Sequence, residues 1–174
     1  MMQSFLTIQK NNFENQEKSC DLSDVASVTS GKSTPKLEEG KYEIIGANGI
    51  LGYTNDFNIQ DNVIITGRVG TIGTFSQYNK KIWCSDNTLI IKSKYFNYLF
   101  YYLKENFNAK SFNRGSTQPL ITQSDMLKFE IKVPTNIDEL EEKLNTYYQI
   151  IEIKKKENSL LKKEKDILLK KYFG

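Results

Sequence analysis

The chain has 174 residues, 39% of them hydrophobic, and a formal net charge of +3 from 24 basic and 21 acidic side chains. That is enough for one domain with an extension; the mild charge permits nucleic-acid binding without requiring it, and no apolar run is long enough to span a membrane. Histidine is absent and Cys20 and Cys84 lie far apart, which argues against a zinc site and a His-assisted nucleophile and fits free thiols in a reducing cytoplasm.

Met1 to Lys18 is polar and rich in Asn and Gln, with no signal-peptide pattern. Leu22, Val25 and Val28 suit a short helix or a turn into a strand, and Ser30 to Gly40 is a loop containing Pro35. Short strands follow: Tyr42–Ile45, a turn at Gly46-Ala47-Asn48-Gly49, Ile50 to Tyr53, Asn62–Thr66, a glycine-flanked turn at Gly67 to Gly70, and Thr71–Phe75. Asn79-Lys80-Lys81 has the composition of a hairpin tip before Ile82-Trp83-Cys84 and Asn87–Ile91. Tyr95–Asn106 is helical by its apolar spacing, Ser111–Gln123 is a loop, Gln123–Leu127 forms one turn, and Lys128–Val133 alternates as a strand closed by Pro134.

From Asn136 to Tyr172 there is no Pro and no Gly. Asn136 and Glu139 form a capping-box pattern, acids crowd the first turns and lysines the last, as the helix dipole favours. Such a helix is about 53 Å long and must project from a domain built of the remainder. Leu140, Leu144, Tyr147, Ile151, Leu161 and Leu168 make one stripe interrupted by Asn158, and Ile150, Ile153, Leu160 and Ile167 make a second. The stripe has a heptad tendency, with Asn158 placed to fix register in a coiled coil. The chain thus divides into a β-rich domain at 1–135 and a projecting helix at 136–174, an α+β architecture.

Motifs with chemistry are few. Ala26 to Ser33 satisfies a loose P-loop pattern, but Thr34-Pro35 prevents the helix that a phosphate cradle needs. Lys32, Ser33 and Lys36 remain suited to a DNA phosphate. Glu130-Ile131-Lys132 resembles half of a Mg²⁺-dependent nuclease site; the plain alternative is an edge strand with Ile131 and Val133 inward. The chain has two arginines, Arg68 and Arg114, each beside a glycine. A planar bidentate donor on a tight loop suits guanine or phosphate, and it equally suits a solvated loop or a tyrosine face. Asn48, Lys80, Lys81, Ser116, Thr117 and Gln118 lie on comparable loops and add polar donors.

With these segments in order, the chain resembles the specificity subunit of type I restriction–modification systems, in a half form with one recognition domain. The resemblance rests on Leu22-Ser23-Asp24-Val25 leading to Gly31-Lys32, Gly40-Lys41-Tyr42 through Gly52-Tyr53, Gly67-Arg68-Val69-Gly70, and Trp83-Cys84-Ser85-Asp86-Asn87. It continues in the Tyr98–Leu103 helix, Gly115-Ser116-Thr117-Gln118-Pro119, and Val133-Pro134 before the long helix. The chain departs from the family in having one domain and one helix rather than two of each, and in lacking Glu-Glu-Gln after the proline. Met1-Met2 favours a natural half subunit.

The resemblance implies a DNA-recognition module without catalysis or cofactor of its own. Methyltransferase subunits would bind S-adenosylmethionine, and a motor–nuclease subunit would cut. The expected DNA contacts are Lys32, Ser33, Lys36, Asn48, Arg68, Lys80, Lys81, Arg114, Ser116, Thr117 and Gln118. The expected homodimer joins through Leu144, Tyr147, Ile151, Asn158, Leu161 and Leu168, with no metal. A small Mg²⁺ nuclease using Glu130 and Lys132, and a coiled-coil adaptor that ignores DNA, are the alternatives.

Overall fold

In the computed structural model, residues 17–112 and 120–173 are described. The β-branched run Val63-Ile64-Ile65-Thr66 is buried on both faces, so it forms the middle of the body rather than an edge. It belongs to β5 (Val63–Gly67), inside a four-stranded sheet of order β2 (Ser27–Ser30), β8 (Thr88–Lys92), β5, β6 (Phe75–Tyr78), all antiparallel. Successive side chains of a strand point to opposite faces. Ile64, Leu89 and Ile91 therefore enter one core, with Phe96, Leu99 and Leu103 of α1 (Phe96–Asn106). Val63, Ile65 and Ile90 enter a second core, with Ile45, Ile82 and Cys84.

That second core is closed by a three-stranded sheet. β3 (Tyr42–Gly46) pairs antiparallel with β4 (Gly49–Thr54) and parallel with β7 (Trp83–Cys84). A third, two-stranded ribbon joins β1 (Glu17–Asp21) to β9 (Glu130–Pro134), with Glu17 opposite Pro134. Between β1 and β2 the chain makes a 3₁₀ turn at Leu22–Asp24, the short helical piece expected there. α2 (Gln123–Leu127) is closed by a reciprocal cap: Asp125 N–H donates to Thr122 Oγ1 at 3.1 Å and Thr122 N–H donates to Asp125 Oδ2 at 3.0 Å.

α3 (Ile137–Phe173) has 37 residues and is about 55 Å long. It is buried only at Ile137, Glu141 and Leu144, and every residue from Ile153 to Phe173 is exposed. The β-rich body, the short helices and the projecting helix agree with the sequence reading.

Three local expectations are corrected. Thr71–Phe75 is not a strand: Gly73 has a φ of +79°, a turn conformation, and β6 starts at Phe75. Asn79-Lys80-Lys81 is not a hairpin tip, because β6 and β7 lie in different sheets and β7 pairs with β3. Asn136 does precede the helix, its carbonyl accepting from Leu140 N–H at 3.0 Å. The reciprocal side-chain box is not made, however: its Oδ1 is buried without a hydrogen-bond partner, while Glu139 pairs with Lys143.

Candidate nucleic-acid interface

Antiparallel pairing through β8 makes β2 and β5 run the same way, and both finish where β8 begins. At that end Gly31 N–H donates to the Thr88 carbonyl at 3.1 Å and Lys32 N–H to the Cys84 carbonyl at 2.9 Å. A Cβ on Gly31 would stand 2.0 Å from the Ser85 carbonyl oxygen, so only glycine lets this segment approach so closely. No phosphate cradle follows, since residues 33–41 contain no helix. β3 arrives at the same place, Ser85 N–H donating to the Ile45 carbonyl at 2.9 Å, and its turn carries Asn48.

Arg68 completes the cluster. Its N–H donates to the Asn87 carbonyl at 3.0 Å, and its carbonyl accepts from Ile121 N–H at 2.9 Å. Val69 bridges Leu120, so the chain leaving the 113–119 segment returns beside Arg68. Lys32, Asn48 and Arg68 thus stand around one hub, residues 85–88, at one end of the body. Lys32 and Asn48 are exposed and Arg68 is half-buried. The Arg68 Nε is buried and has no hydrogen-bond partner among the described residues, as are Trp83 Nε1 and Ser85 Oγ. Beside them a cleft of about 200 Å³ separates the β3–β4 turn from the β5–β6 loop, lined at this end by Asn48, Thr71 and Thr74 and running along β6 past Ser76 to Tyr78. Burial, and then Glu43, raises the Tyr78 hydroxyl above its ordinary pKa.

Other expected contacts fall elsewhere. Ser33 is exposed next to Lys32, but Lys36 lies farther along a segment that runs beside β4, where Glu38 N–H donates to the Tyr53 carbonyl. Lys80 and Lys81 are not part of the cluster: β6 runs opposite to β5, placing Tyr78 against Val63 at the other end of the sheet. There Lys80 pairs with Glu43 at 2.6 Å and Lys81 sits 4.4 Å from the Phe57 ring centre. Arg114, Ser116, Thr117 and Gln118 lie outside the described residues. Trp83, Ser85 and Asn87 are not among the expected DNA contacts; the sequence marks them only as part of the Trp83–Asn87 stretch that carries the family resemblance.

The long helix leaves from the far end, where α1 begins. Lys94 pairs with Asp138 at 3.1 Å, and the Phe96 and Tyr148 rings meet edge to face at 6.0 Å. Leu144 is fully buried against this body. It is thus not available to a dimer seam, contrary to the expectation from the stripe. The remaining expected seam residues stay accessible: Tyr147, Asn158, Leu161 and Leu168 are exposed and Ile151 is half-buried. Ile150, Ile153, Leu160 and Ile167 widen the exposed apolar face.

The nuclease alternative finds no site. Glu130 and Lys132 point outward on β9, as an edge strand would have them, with Ile131 buried. Glu130 accepts from Ser19 Oγ, and Asp125 is held in the α2 cap. No cluster of three or more His, Cys, Asp or Glu suited to a metal ion occurs among the described residues.

Residues 14–170 match the family model described as "Type I restriction modification DNA specificity domain". No curated protein sequence matches the chain. Among solved structures, the S subunit of a type I restriction–modification system from M. genitalium is similar at 21% identity and a TM-score of 0.72, over 89% of this chain and 44% of that one. The HsdS subunit from Thermoanaerobacter tengcongensis is similar at 13% identity and a TM-score of 0.56, over 82% of this chain and 39% of its own. A third structure, from work on assembly and conformational transition of the type I R-M system, is similar at 14% identity and a TM-score of 0.56, over 96% of this chain and 48% of that one. The chain therefore spans less than half the length of these structural relatives, and the likeness at such identities is one of fold.

Proposed function

The chain belongs to the family of type I restriction–modification DNA specificity domains, and from that membership we propose that it reads a short DNA sequence and directs methyltransferase subunits to it. The observation that carries this reading is the opposition of two surfaces. Loops bearing Lys32, Asn48 and Arg68 gather at one end, and a long helix with an open apolar face leaves from the other. In this reading Arg68 contacts a base or a phosphate, and Arg114, Ser116, Thr117 and Gln118 add further contacts.

The chain performs no chemistry itself and needs no cofactor; S-adenosylmethionine is held by the methyltransferase, and a motor–nuclease subunit adds restriction. Two copies pair antiparallel through Tyr147, Ile151, Asn158, Leu161 and Leu168. Pairing brings the acidic start of each helix towards the lysine-rich end of the other. Identical readers related by a two-fold axis see an inverted repeat around an unread spacer. The complex works on cytoplasmic DNA. Among the described residues no helix is long and apolar enough to cross a membrane.

The test is to reconstitute the chain with its methyltransferase and map methylated bases across genomic DNA. The expected result is one inverted-repeat site, with Arg68→Ala costing about 1–3 kcal/mol of discrimination at one position if it reads a base, or weakening all sequences alike if it holds a phosphate. Methylation without any sequence preference, or an Arg68→Ala variant indistinguishable from wild type on target and non-target DNA, defeats the respective claim.

A further inference from the structure

The first turn of α1 has no cap of its own. Tyr95 precedes it and makes no side-chain cap bond. The missing acceptor comes from the long helix. Glu141 Oε1 accepts from Asn97 N–H at 2.9 Å and from Asn97 Nδ2 at 3.0 Å, and Glu141 Oε2 accepts from Tyr98 N–H at 2.8 Å. Asn97 Nδ2 also donates to Asn145 Oδ1 at 2.7 Å, one turn further along the long helix, while Asn97 Oδ1 accepts from Gln77 of β6 at 3.3 Å. Glu141 is 5% exposed and Asn97 is 0% exposed. A carboxylate placed over free amide donors at a helix start is favoured by the helix dipole, and moving it away strands a buried charge.

We propose that Glu141 is a positioning residue: its carboxylate, held by Asn97 and Tyr98, sets the angle at which the recognition domain sits on its helix, and so sets the spacing between the two half-sites. This rests on the antiparallel dimer proposed above. The apolar part of the joint, Ile137, Leu144 and Tyr148, tolerates tilt because burial has no preferred direction. Three hydrogen bonds to one carboxylate do have a direction, and they fix a single orientation. The leverage is large. The exposed part of α3, Ile153–Phe173, is an arm of about 31 Å, and a swing of about 6° carries its tip about 3 Å, close to the ~3.4 Å rise of one base pair. A joint without the carboxylate populates several tilts, each matched to a different spacer.

The test uses the full-length chain and a pool of randomised duplexes, recovered by binding and sequenced. Wild type is expected to enrich one half-site motif, inverted, at one spacer. Glu141→Gln keeps the size but removes the charge and turns an acceptor into a donor. It should enrich the same half-site at two or three spacers, with the share at the wild-type spacing falling about twofold or more. If that variant does not fold, Asn145→Ala, at an exposed position that removes one bond of the set, should broaden the spacing to a lesser degree. An unchanged single spacer in the folded variant overturns the proposal. If wild type enriches no paired motif, the dimer reading fails instead, and the joint is judged without DNA. Spin labels at Gln60→Cys and Lys163→Cys, in a Cys20→Ser background diluted with unlabelled chain, then report the distance from body to arm. A distribution broadened by Glu141→Gln supports the positioning role, and one unchanged in width overturns it.

Discussion

Leu99 in α1 and Leu160 in α3 are the same side chain in opposite circumstances: the first is 0% exposed and the second 65% exposed. Around Leu99 the chain closes on itself, with β5 and β8 covered on both faces and two cores built from alternating residues of the same strands. Around Leu160 every described residue of the helix from Ile153 to Phe173 is exposed, and the helix there rests on local features. It has no Gly or Pro, and it carries pairs such as Lys154–Glu157 and Lys155–Glu152. Such pairs are worth only a few tenths of a kcal/mol each. The body thus holds its apolar residues inside, whereas the arm leaves Ile153, Leu160, Leu161, Ile167 and Leu168 exposed.

The sharpest way to break this contrast is to truncate both leucines. Leu99→Ala should cost the body about 2–5 kcal/mol in urea denaturation, through a cavity between α1 and the sheet. Leu160→Ala, measured where the chain is monomeric, should stay within about 0.5 kcal/mol of wild type. Comparable losses at both sites would mean that the arm folds back on the body.

Next in size is the joint between the two regions. Glu141→Ala leaves three buried donors facing an apolar methyl, and we expect a loss of about 1.5–3 kcal/mol in the same assay.

Alkaline pH separates the regions in another way. Burial pushes the Cys84 thiol up to about 12 from an ordinary 9.0. A thiol kept neutral in the folded state stabilises the fold fully below the unfolded pKa. That contribution is lost as pH rises from 9 towards 12, because the unfolded chain ionises first. The loss at pH 10 is on the order of 1 kcal/mol. The stability difference between pH 8 and pH 10 should accordingly shrink by that amount in Cys84→Ala, and an unchanged difference would contradict the burial of this thiol.

The smallest effect on the body should come from Leu161→Lys with Leu168→Lys. Its thermal and urea transitions as a monomer should hold within about 0.5 kcal/mol, while sedimentation should show the dimer lost. A dimer that survives both lysines would place the pairing surface elsewhere. Leu144→Lys is no substitute for this test, because Leu144 is inside the body and the lysine would unfold it.

Much of the plan was legible beforehand because it depends on short-range pattern. Val63 to Thr66 announces a strand by β-branching, Phe96, Leu99 and Leu103 announce a helix by spacing, and the run after Pro134 announces a long helix by its lack of breakers. The candidate interface was legible only in part. Arg68 and Asn48 stand out as polar residues on glycine-bounded turns, and the fold does bring them to one end. Lys80 and Lys81 looked equivalent, yet the direction of β6 sends them to the opposite end, where local partners hold them. Glu141 left a faint trace, a carboxylate between Ile137 and Leu144 in an otherwise apolar stripe. Sequence alone could not name the amide donors waiting for it.

By itself the sequence determined most of the local elements, the presence of a long helix after a β-rich body, and the lack of histidine chemistry, since each follows from residue identity and spacing within a few turns of chain. Tertiary structure decided which loops meet at one end, which stripe residues are consumed by the body, and which carboxylate caps a helix more than forty positions away. Those outcomes depend on strand order and on the direction in which each strand runs. Strand order is set by the joint burial of distant segments, which no window along the chain contains.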